Sequence, residues 1–305
     1  MFMGTPAFAA PSLRLLAKLH EVAEVVTQPD RPAGRGGRLQ APPVKQAALE
    51  LRLPVYQPAG IRRREACERI ARHRPDAIAV VGYGQMIPKR IRDLAPHGCV
   101  NVHSSLLPKY RGAAPVNWAV ARGETRTGVT TMRIVKEMDA GDILLARETE
   151  IGPHETASAV NRRLALMGAE LLSETLERLA AGTLRPVPQD HAAATRAPLL
   201  RREDGLVDWS LPAQSIYDRL RGFDPWPGIH TYFRGKRLRI RAAKPAAAAP
   251  GRPGRLRSAR RELSVDCGAG RLVLEQVQLE GRKSISALDF ARGFRPAPEE
   301  VLGNG

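Results

Sequence analysis

Short apolar runs alternate with amphipathic stretches along residues 1–184. Between residues 6 and 20, Phe8, Leu13, Leu16 and Leu19 recur near the 3.6-residue spacing that gathers side chains on one helix face, so a helix is predicted there. Further helices are predicted over 44–51, 62–74, 116–122 and 156–180. Residues 21–27, 76–81, 98–103, 128–135 and 143–149 are short and rich in aliphatic and β-branched side chains, and predict strands. Strands alternating with helices define an α/β domain over 1–184 with a mostly parallel sheet, because parallel neighbours need a crossover to return the chain. Only Met1, Phe2 and Met3 precede the first glycine, so the first strand is expected to be cropped or the start to lie upstream.

The pattern breaks over 185–203, where Pro186, Pro188 and Pro198 stand among polar residues and predict a linker. Residues 204–305 predict one helix, 213–221, and short strands at 230–233, 237–242, 262–267 and 271–279 between turns rich in Gly and Pro. That spacing reads as a small β-rich domain of barrel type. Residues 246–254 are low in complexity and read as a loop.

Charge changes the picture more than the rest of the composition does. Lys and Arg number 48 against 31 Asp and Glu, a net charge of +17, which favours a polyanionic partner such as RNA or DNA. Residues 231–261 hold eleven basic residues and no acidic one, and residues 30–38 form a loop rich in Gly, Pro and Arg. A GC-rich genome also enriches Arg, so charge alone leaves nucleic-acid binding open. No run approaches the ~18 apolar residues of a membrane span, and no basic segment leads into an apolar signal, so a cytoplasmic chain without membrane contact is expected. Cys67, Cys99 and Cys267 are odd in number and far apart, which suggests neither a disulfide framework nor a metal site. No Gly-x-Gly-x-x-Gly follows the first strand and no phosphate-binding Gly-x-x-x-x-Gly-Lys is present, which argues against nicotinamide and nucleoside triphosphate chemistry.

Alternation along 98–103 puts Asn101 and His103 on one face of a strand, at the carboxyl end where open α/β sheets build their sites. An amide beside an imidazole offers two donors to a developing oxyanion. Asp139, in Met138-Asp139-Ala140-Gly141-Asp142, sits on a loop between two strands from which a carboxylate can reach an imidazole, orient it or help move a proton. Singly, each feature is better explained by a satisfied strand end or a solvated turn.

Together they resemble a known family. Asn101-Val102-His103, Ser105-Leu106-Leu107-Pro108, Tyr110-Arg111-Gly112 and Met138-Asp139-Ala140-Gly141-Asp142 are similar to the enzymes that transfer formyl from 10-formyltetrahydrofolate. Gly4-Thr5-Pro6-Ala7-Phe8-Ala9, the basic stretch from Thr27 through Gly36, Ala113-Ala114-Pro115 with Trp118, Glu203-Asp204-Gly205, Asp208-Trp209-Ser210 and Phe223-Asp224-Pro225-Trp226-Pro227 resemble the branch acting on methionine carried by initiator tRNA. The resemblance implies a Rossmann-like formyltransferase domain followed by a small OB-like β-barrel, and a substrate amine as nucleophile. It implies that Asn101 and His103 stabilise the oxyanion, while Asp139 holds His103 cationic and helps carry the amine's proton. Ser105, Leu106, Leu107 and Pro108, with Tyr83, Gln85, Met86 and Ile87, would contact the folate co-substrate. Arg31, Arg35 and Arg38, and Arg237, Arg239 and Arg241, would contact initiator methionyl-tRNA. A monomer without metal is expected. Two departures stand out: Gln85-Met86 where two aliphatics are expected, and Arg196 where an aromatic is expected. A sugar-modifying relative would lack the basic surfaces, and a non-catalytic RNA-binding relic would have lost Asn101, His103 or Asp139; all three are present.

Overall fold

The computed structural model describes residues 1–33, 37–249 and 251–303. The chain forms two compact units, one of Met1–Pro115, Arg126–Glu150 and Val160–Ala197, the other of Val116–Thr125, Ile151–Ala159 and Pro198–Gly305. In chain order the elements up to residue 197 are β1 (Phe2–Gly4), α1 (Ala10–Leu19), β2 (Val25–Val26), β3 (Arg31–Ala33), β4 (Arg38–Gln40), α2 (Pro43–Glu50), β5 (Val55–Tyr56), α3 (Arg64–Arg72), β6 (Ile78–Val81), α4 (Lys89–Arg92), β7 (Cys99–His103), β8 (Arg111–Gly112), α5 (Pro115–Ala121), β9 (Arg126–Arg133), β10 (Ile143–Glu150), α6 (Ala157–Ala180) and β11 (Arg196–Ala197).

The first unit is organised on a seven-stranded sheet of order β10-β9-β7-β6-β1-β2-β5. The five strands from β7 to β5 run parallel, and β9 and β10 are antiparallel. The period-2 alternation of strand side chains explains its two cores. Phe2, Val25, Ala79, Val81 and Val100 pack on one face with Leu13, Leu16, Val44 and Leu172 from helices α1, α2 and α6. Met3, Val26, Ile78, Val80 and Cys99 pack on the other with Cys67, Ile70 and Ile91 from α3 and α4. Both faces are covered, which is why these strands read as continuous apolar runs. Sheet order reverses at β1, with β2 and β5 on one side and β6 and β7 on the other. The carboxyl ends of β1 and β6 therefore flank a switch point, the usual place for a ligand crevice.

Several expected boundaries shift for local reasons. Helix α1 begins at Ala10 after a 3-10 turn, because Pro11 has no N–H to give and fits only in a first turn. The strand expected over 21–27 contracts to β2, where Val25 and Val26 pair on both sides. β1 has three residues, yet it pairs with both β2 and β6 at the centre of the sheet. The basic loop expected at 30–38 begins and ends as the antiparallel arms β3 and β4. Residues 187–197, expected to belong to a linker, strap onto the first unit: Ile143 and Val187 exchange backbone hydrogen bonds of 2.8 Å, and β11 pairs with β8.

The second unit contains α7 (Ala213–Gly222), β12 (Ile229–Phe233), β13 (Lys236–Ala246), β14 (Leu256–Ala259), β15 (Glu262–Asp266), β16 (Arg271–Leu279), β17 (Ile285–Ser286) and α8 (Ala287–Phe294). The sheet runs β12-β13-β16-β15-β14, with β17 on β16. Bridges from Gly303 to Tyr232 and from Val301 to Arg255 join its first and last strands through the end of the chain, closing a small barrel around Leu238, Ile240, Leu263, Leu272 and Val277. Along β13, buried Leu238 and Ile240 alternate with Arg237, Arg239 and Arg241 on the outer face. Over residues 204–305 only one helix was expected. The second, α8, is capped by Ser286, whose hydroxyl accepts from the Asp289 N–H at 3.0 Å, and it buries Ala287 and Phe290. Among the described residues no helix is long and apolar enough to cross a membrane.

Candidate active site

A cleft of about 680 Å³ opens in the first unit at the switch point, and Asn101, His103 and Asp139 all line it. β7 sets the first two. It is pinned between β6 and β9 in a register that places Asn101 opposite Met132 and His103 opposite Thr130. Asn101 is half-buried and His103 buried, two residues apart on one face.

The imidazole is oriented from both ends. His103 Nε2 lies 2.9 Å from the Tyr110 carbonyl oxygen, which can only accept, so Nε2 carries the proton. Nδ1 therefore faces the cleft side, 3.7 Å from Asp139 Oδ2. That is ion-pair spacing rather than a hydrogen bond, so Nδ1 is not committed to the carboxylate.

Asp139 occupies the left-handed region at φ +52°, which costs of order 1 kcal/mol or more unless the surroundings impose it. Here they do. The Gly112 N–H donates to Oδ2 at 2.8 Å, and Gln189 Nε2 donates to the carbonyls of Asp139 and Gly141 at 2.9 and 2.6 Å. Asp142 closes the same β9–β10 turn through its backbone, its carbonyl accepting from the Arg133 N–H at 3.0 Å.

The residues expected to contact folate divide into two groups. Tyr83, Gln85, Met86 and Ile87 line the cleft. Tyr83 is buried, and burial pushes its phenol up to about 12, so it is neutral. Gln85 is explained by its partners: Oε1 accepts from the Ile61 N–H at 2.8 Å, and Nε2 donates to Gln28 Oε1 at 3.3 Å, bonds an aliphatic could not make. The side chains of Met86, Val135 and Met138 stand exposed at the cleft, an apolar patch suited to a planar ligand. Ser105, Leu106, Leu107 and Pro108 form the turn after β7, and of that stretch the cleft takes only the preceding Ser104. Their bonds lock the turn: Ser105 Oγ donates to the Lys109 carbonyl at 2.7 Å, the Leu107 N–H to Thr130 Oγ1 at 3.2 Å, and Thr130 Oγ1 to the Ser105 carbonyl at 2.7 Å.

Sequence reasoning missed Arg111 as an interacting side chain, and missed Gln189 and the Tyr110 carbonyl altogether. Arg111 lay within a motif already noted, but its pairing with Gln189, 78 residues away, leaves no mark in any local pattern. Arg31 and Arg38 are exposed on the hairpin arms, and Arg35 lies outside the described residues. Arg237 and Arg239 are half-buried and Arg241 exposed on the outer face of β13. Among the described residues no group of His, Cys, Asp and Glu is arranged to hold a metal, and the three cysteines are buried and unpaired.

This fold is that of formyl-transferring enzymes. Residues 3–176 match the family described as formyl transferase, and residues 199–295 match the formyl transferase C-terminal domain. The chain belongs to the formyl transferase family. It is 54% identical to the methionyl-tRNA formyltransferase of Solibacter usitatus (strain Ellin6076), over all of this chain and 98% of that one. It is 52% identical to the methionyl-tRNA formyltransferase of Koribacter versatilis (strain Ellin345), over 99% of this chain and 98% of that one. Among solved structures, the N-formyltransferase from Helicobacter canadensis, in complex with folinic acid and dTDP-3-aminofucose, superposes with a TM-score of 0.67. That match covers 90% of this chain and 97% of the other at 14% identity, a likeness of fold.

Proposed function

We propose that the chain transfers the formyl group of 10-formyltetrahydrofolate to the α-amino group of methionyl initiator tRNA, as translation initiation requires. The observation that carries this reading is the convergence of Asn101, His103 and Asp139 in one cleft, in a chain similar over its whole length to methionyl-tRNA formyltransferases. The cleft suits the folate: its volume lies within the ~300–1,000 Å³ of small-molecule sites. Tyr83, Ile87 and the exposed Met86, Val135 and Met138 supply apolar wall, and Gln85 fixes the segment between them. When bound, the folate supplies an activated formyl group.

The chain's own residues then act on charge and protons. The Asn101 amide N–H, and His103 with a proton on Nδ1 as well as on Nε2, stabilise the negative charge that develops on the formyl oxygen as the amine attacks. The Tyr110 carbonyl holds the ring so that Nδ1, not Nε2, faces the reaction. Asp139 sets a negative charge 3.7 Å from Nδ1 and, through solvent, relays the proton the amine loses to the folate nitrogen, which leaves as its bond to the formyl carbon breaks. No Ser or Cys nucleophile is needed. The tRNA is held by Arg31 and Arg38 on the first unit, with Arg35 between them in sequence, and by Arg237, Arg239 and Arg241 on the barrel, where the outward row on β13 suits a phosphate backbone. The enzyme works as a cytoplasmic monomer without metal.

The test is a substrate panel. Purified protein and 10-formyltetrahydrofolate are offered methionyl initiator tRNA, methionyl elongator tRNA, free methionine and a nucleotide-linked amino sugar. Formylation of the initiator tRNA, with the others turned over far more slowly, is expected. Efficient formylation of the sugar with none of tRNA overturns the assignment.

A further inference from the structure

The segment 187–197, which the sequence pattern marks as a connector, carries a buried glutamine whose bonds go to Arg111 and to the Asp139 loop beside the cleft. We infer that Gln189, bridged to Arg111, is a positioning residue that holds the Asp139 carboxylate in its working place. This rests on the reading of Asp139 as a group acting on the reaction.

The bonding capacity of Gln189 is fully matched to that task. A primary amide has two N–H hydrogens and a carbonyl oxygen with two lone pairs. Nε2 serves the carbonyls of Asp139 and Gly141 at 2.9 and 2.6 Å. Oε1 receives Arg111 Nε and Nη2 at 3.1 and 2.6 Å. The residue is 6% exposed, so water cannot readily take over these bonds. Arg111 in turn precedes Gly112, whose N–H donates to Asp139 Oδ2 at 2.8 Å. The result is a closed ring: carboxylate to Gly112, backbone to Arg111, guanidinium to Gln189, amide back to the Asp139 carbonyl. Both ends of Asp139 are held, and its left-handed backbone at φ +52° is imposed by that ring. The strap and β8 are also joined by their backbones, the Arg111 N–H donating to the Thr195 carbonyl and the Ala113 N–H to the Ala197 carbonyl, each at 2.9 Å.

Other side chains do not substitute. Leucine at 189 has nearly the same bulk and leaves both carbonyls and the guanidinium unserved. Glutamate keeps an acceptor for Arg111 but points a carboxylate at two carbonyl oxygens. The loop then relaxes, and a shift of the carboxylate by about 1 Å costs on the order of 100-fold in turnover.

The experiment compares wild type, Gln189→Leu, Gln189→Glu, Arg111→Met and Asp139→Asn. It reads kcat, KM for each substrate, and the Gly112 amide in ¹⁵N-labelled protein. Gln189→Leu is expected to lower kcat about 100-fold with both KM values little changed. Its Gly112 amide proton should move upfield as it loses a charged acceptor, while sheet amides such as Val80 and Val100 hold. Gln189→Glu should be no better than Leu despite its closer shape. Near-wild-type kcat in Gln189→Leu, or a Gly112 resonance that does not move, overturns the inference. Should Gln189→Leu fail to fold, Arg111→Met breaks the same ring at a half-exposed side chain and is judged on the same two readouts. Undiminished turnover in Asp139→Asn sinks the reading of the site itself. The Gly112 resonance then still decides whether Gln189 holds the carboxylate.

Discussion

Gly112 carries the amide that fixes the Asp139 carboxylate, and it has no room for a side chain. Its φ is +124°, a conformation open to glycine and strained for any other residue. A Cβ built there meets the Ala197 carbonyl oxygen at 2.5 Å and its carbon at 3.2 Å. Close C···O approaches in proteins begin at about 3.3 Å, so Gly112→Ala must drive β8 and β11 apart by roughly 0.8 Å. The backbone strain costs about 1–3 kcal/mol, and weakening the Ala113 to Ala197 hydrogen bond adds about 1 kcal/mol. The first unit should therefore lose about 2–4 kcal/mol of stability, read by urea unfolding. The same movement carries the Gly112 N–H off Oδ2, and kcat for formyl transfer should fall about 100-fold in the fraction that folds. The assay is steady-state formylation at a temperature where both proteins are folded, with both substrates saturating. A folded Gly112→Ala enzyme with kcat within a few-fold of wild type would refute the claim that this amide positions the catalytic carboxylate.

Asp139→Asn keeps the shape and an acceptor for Gly112 but removes the charge 3.7 Å from Nδ1. At an effective dielectric near 20 that charge is worth at most about 4.5 kcal/mol, so kcat should fall roughly 100- to 1,000-fold. Folate affinity, followed by fluorescence titration, should weaken only modestly, and Asp142→Asn should spare kcat; the reverse order reverses their roles. In the barrel, burial pushes the Asp266 carboxyl up, but hydrogen bonds and charge from Arg257 and Arg271 outweigh burial and leave it below its ordinary value. A depressed folded value means stability that is present above the unfolded pKa of about 3.9 and lost as pH falls through the lower folded value. Asp266→Asn should then cost about 1–3 kcal/mol at neutral pH and converge with wild type in acid; a constant gap down to pH 2 would exclude the ion pairs as its cause. Replacing Arg237, Arg239 and Arg241 with Ala should flatten the salt dependence of tRNA binding by about one unit of slope per lost contact, for initiator and elongator tRNA alike. An unchanged slope removes that face from the interface.

The α/β core with both sheet faces covered was legible because each buried strand carries side chains for both faces, as Phe2 and Met3 or Val80 and Val81 do. The Asn101 and His103 pair was legible for the same reason, since two residues along a strand is one face. Asp139 was legible only through its motif, because nothing local says which imidazole a loop carboxylate will meet. The strap at 187–197 was not legible. Its anchoring side chain, Gln189, makes bonds that carry no period and cross 48 to 78 residues of chain. Helix α8 was hidden by its brevity, although Ser286 and Asp289 form a start signal and Phe290 and Phe294 mark one face. The Ser105 to Pro108 turn shows the opposite case: its motif was visible, but its backbone bonds to Thr130 and Lys109 emerged only in three dimensions.

The central claim is that His103, aimed by the Tyr110 carbonyl and faced by Asp139, stabilises charge during formyl transfer to methionyl initiator tRNA. Its most direct test is single-turnover transfer by wild type and His103→Ala, with folate and charged tRNA both saturating and tRNA affinity measured in parallel. Rapid transfer by wild type is expected, with a rate about 100- to 1,000-fold lower in the variant and tRNA bound as tightly as before. Equal single-turnover rates, or no transfer to methionyl initiator tRNA by the wild-type protein, would contradict it.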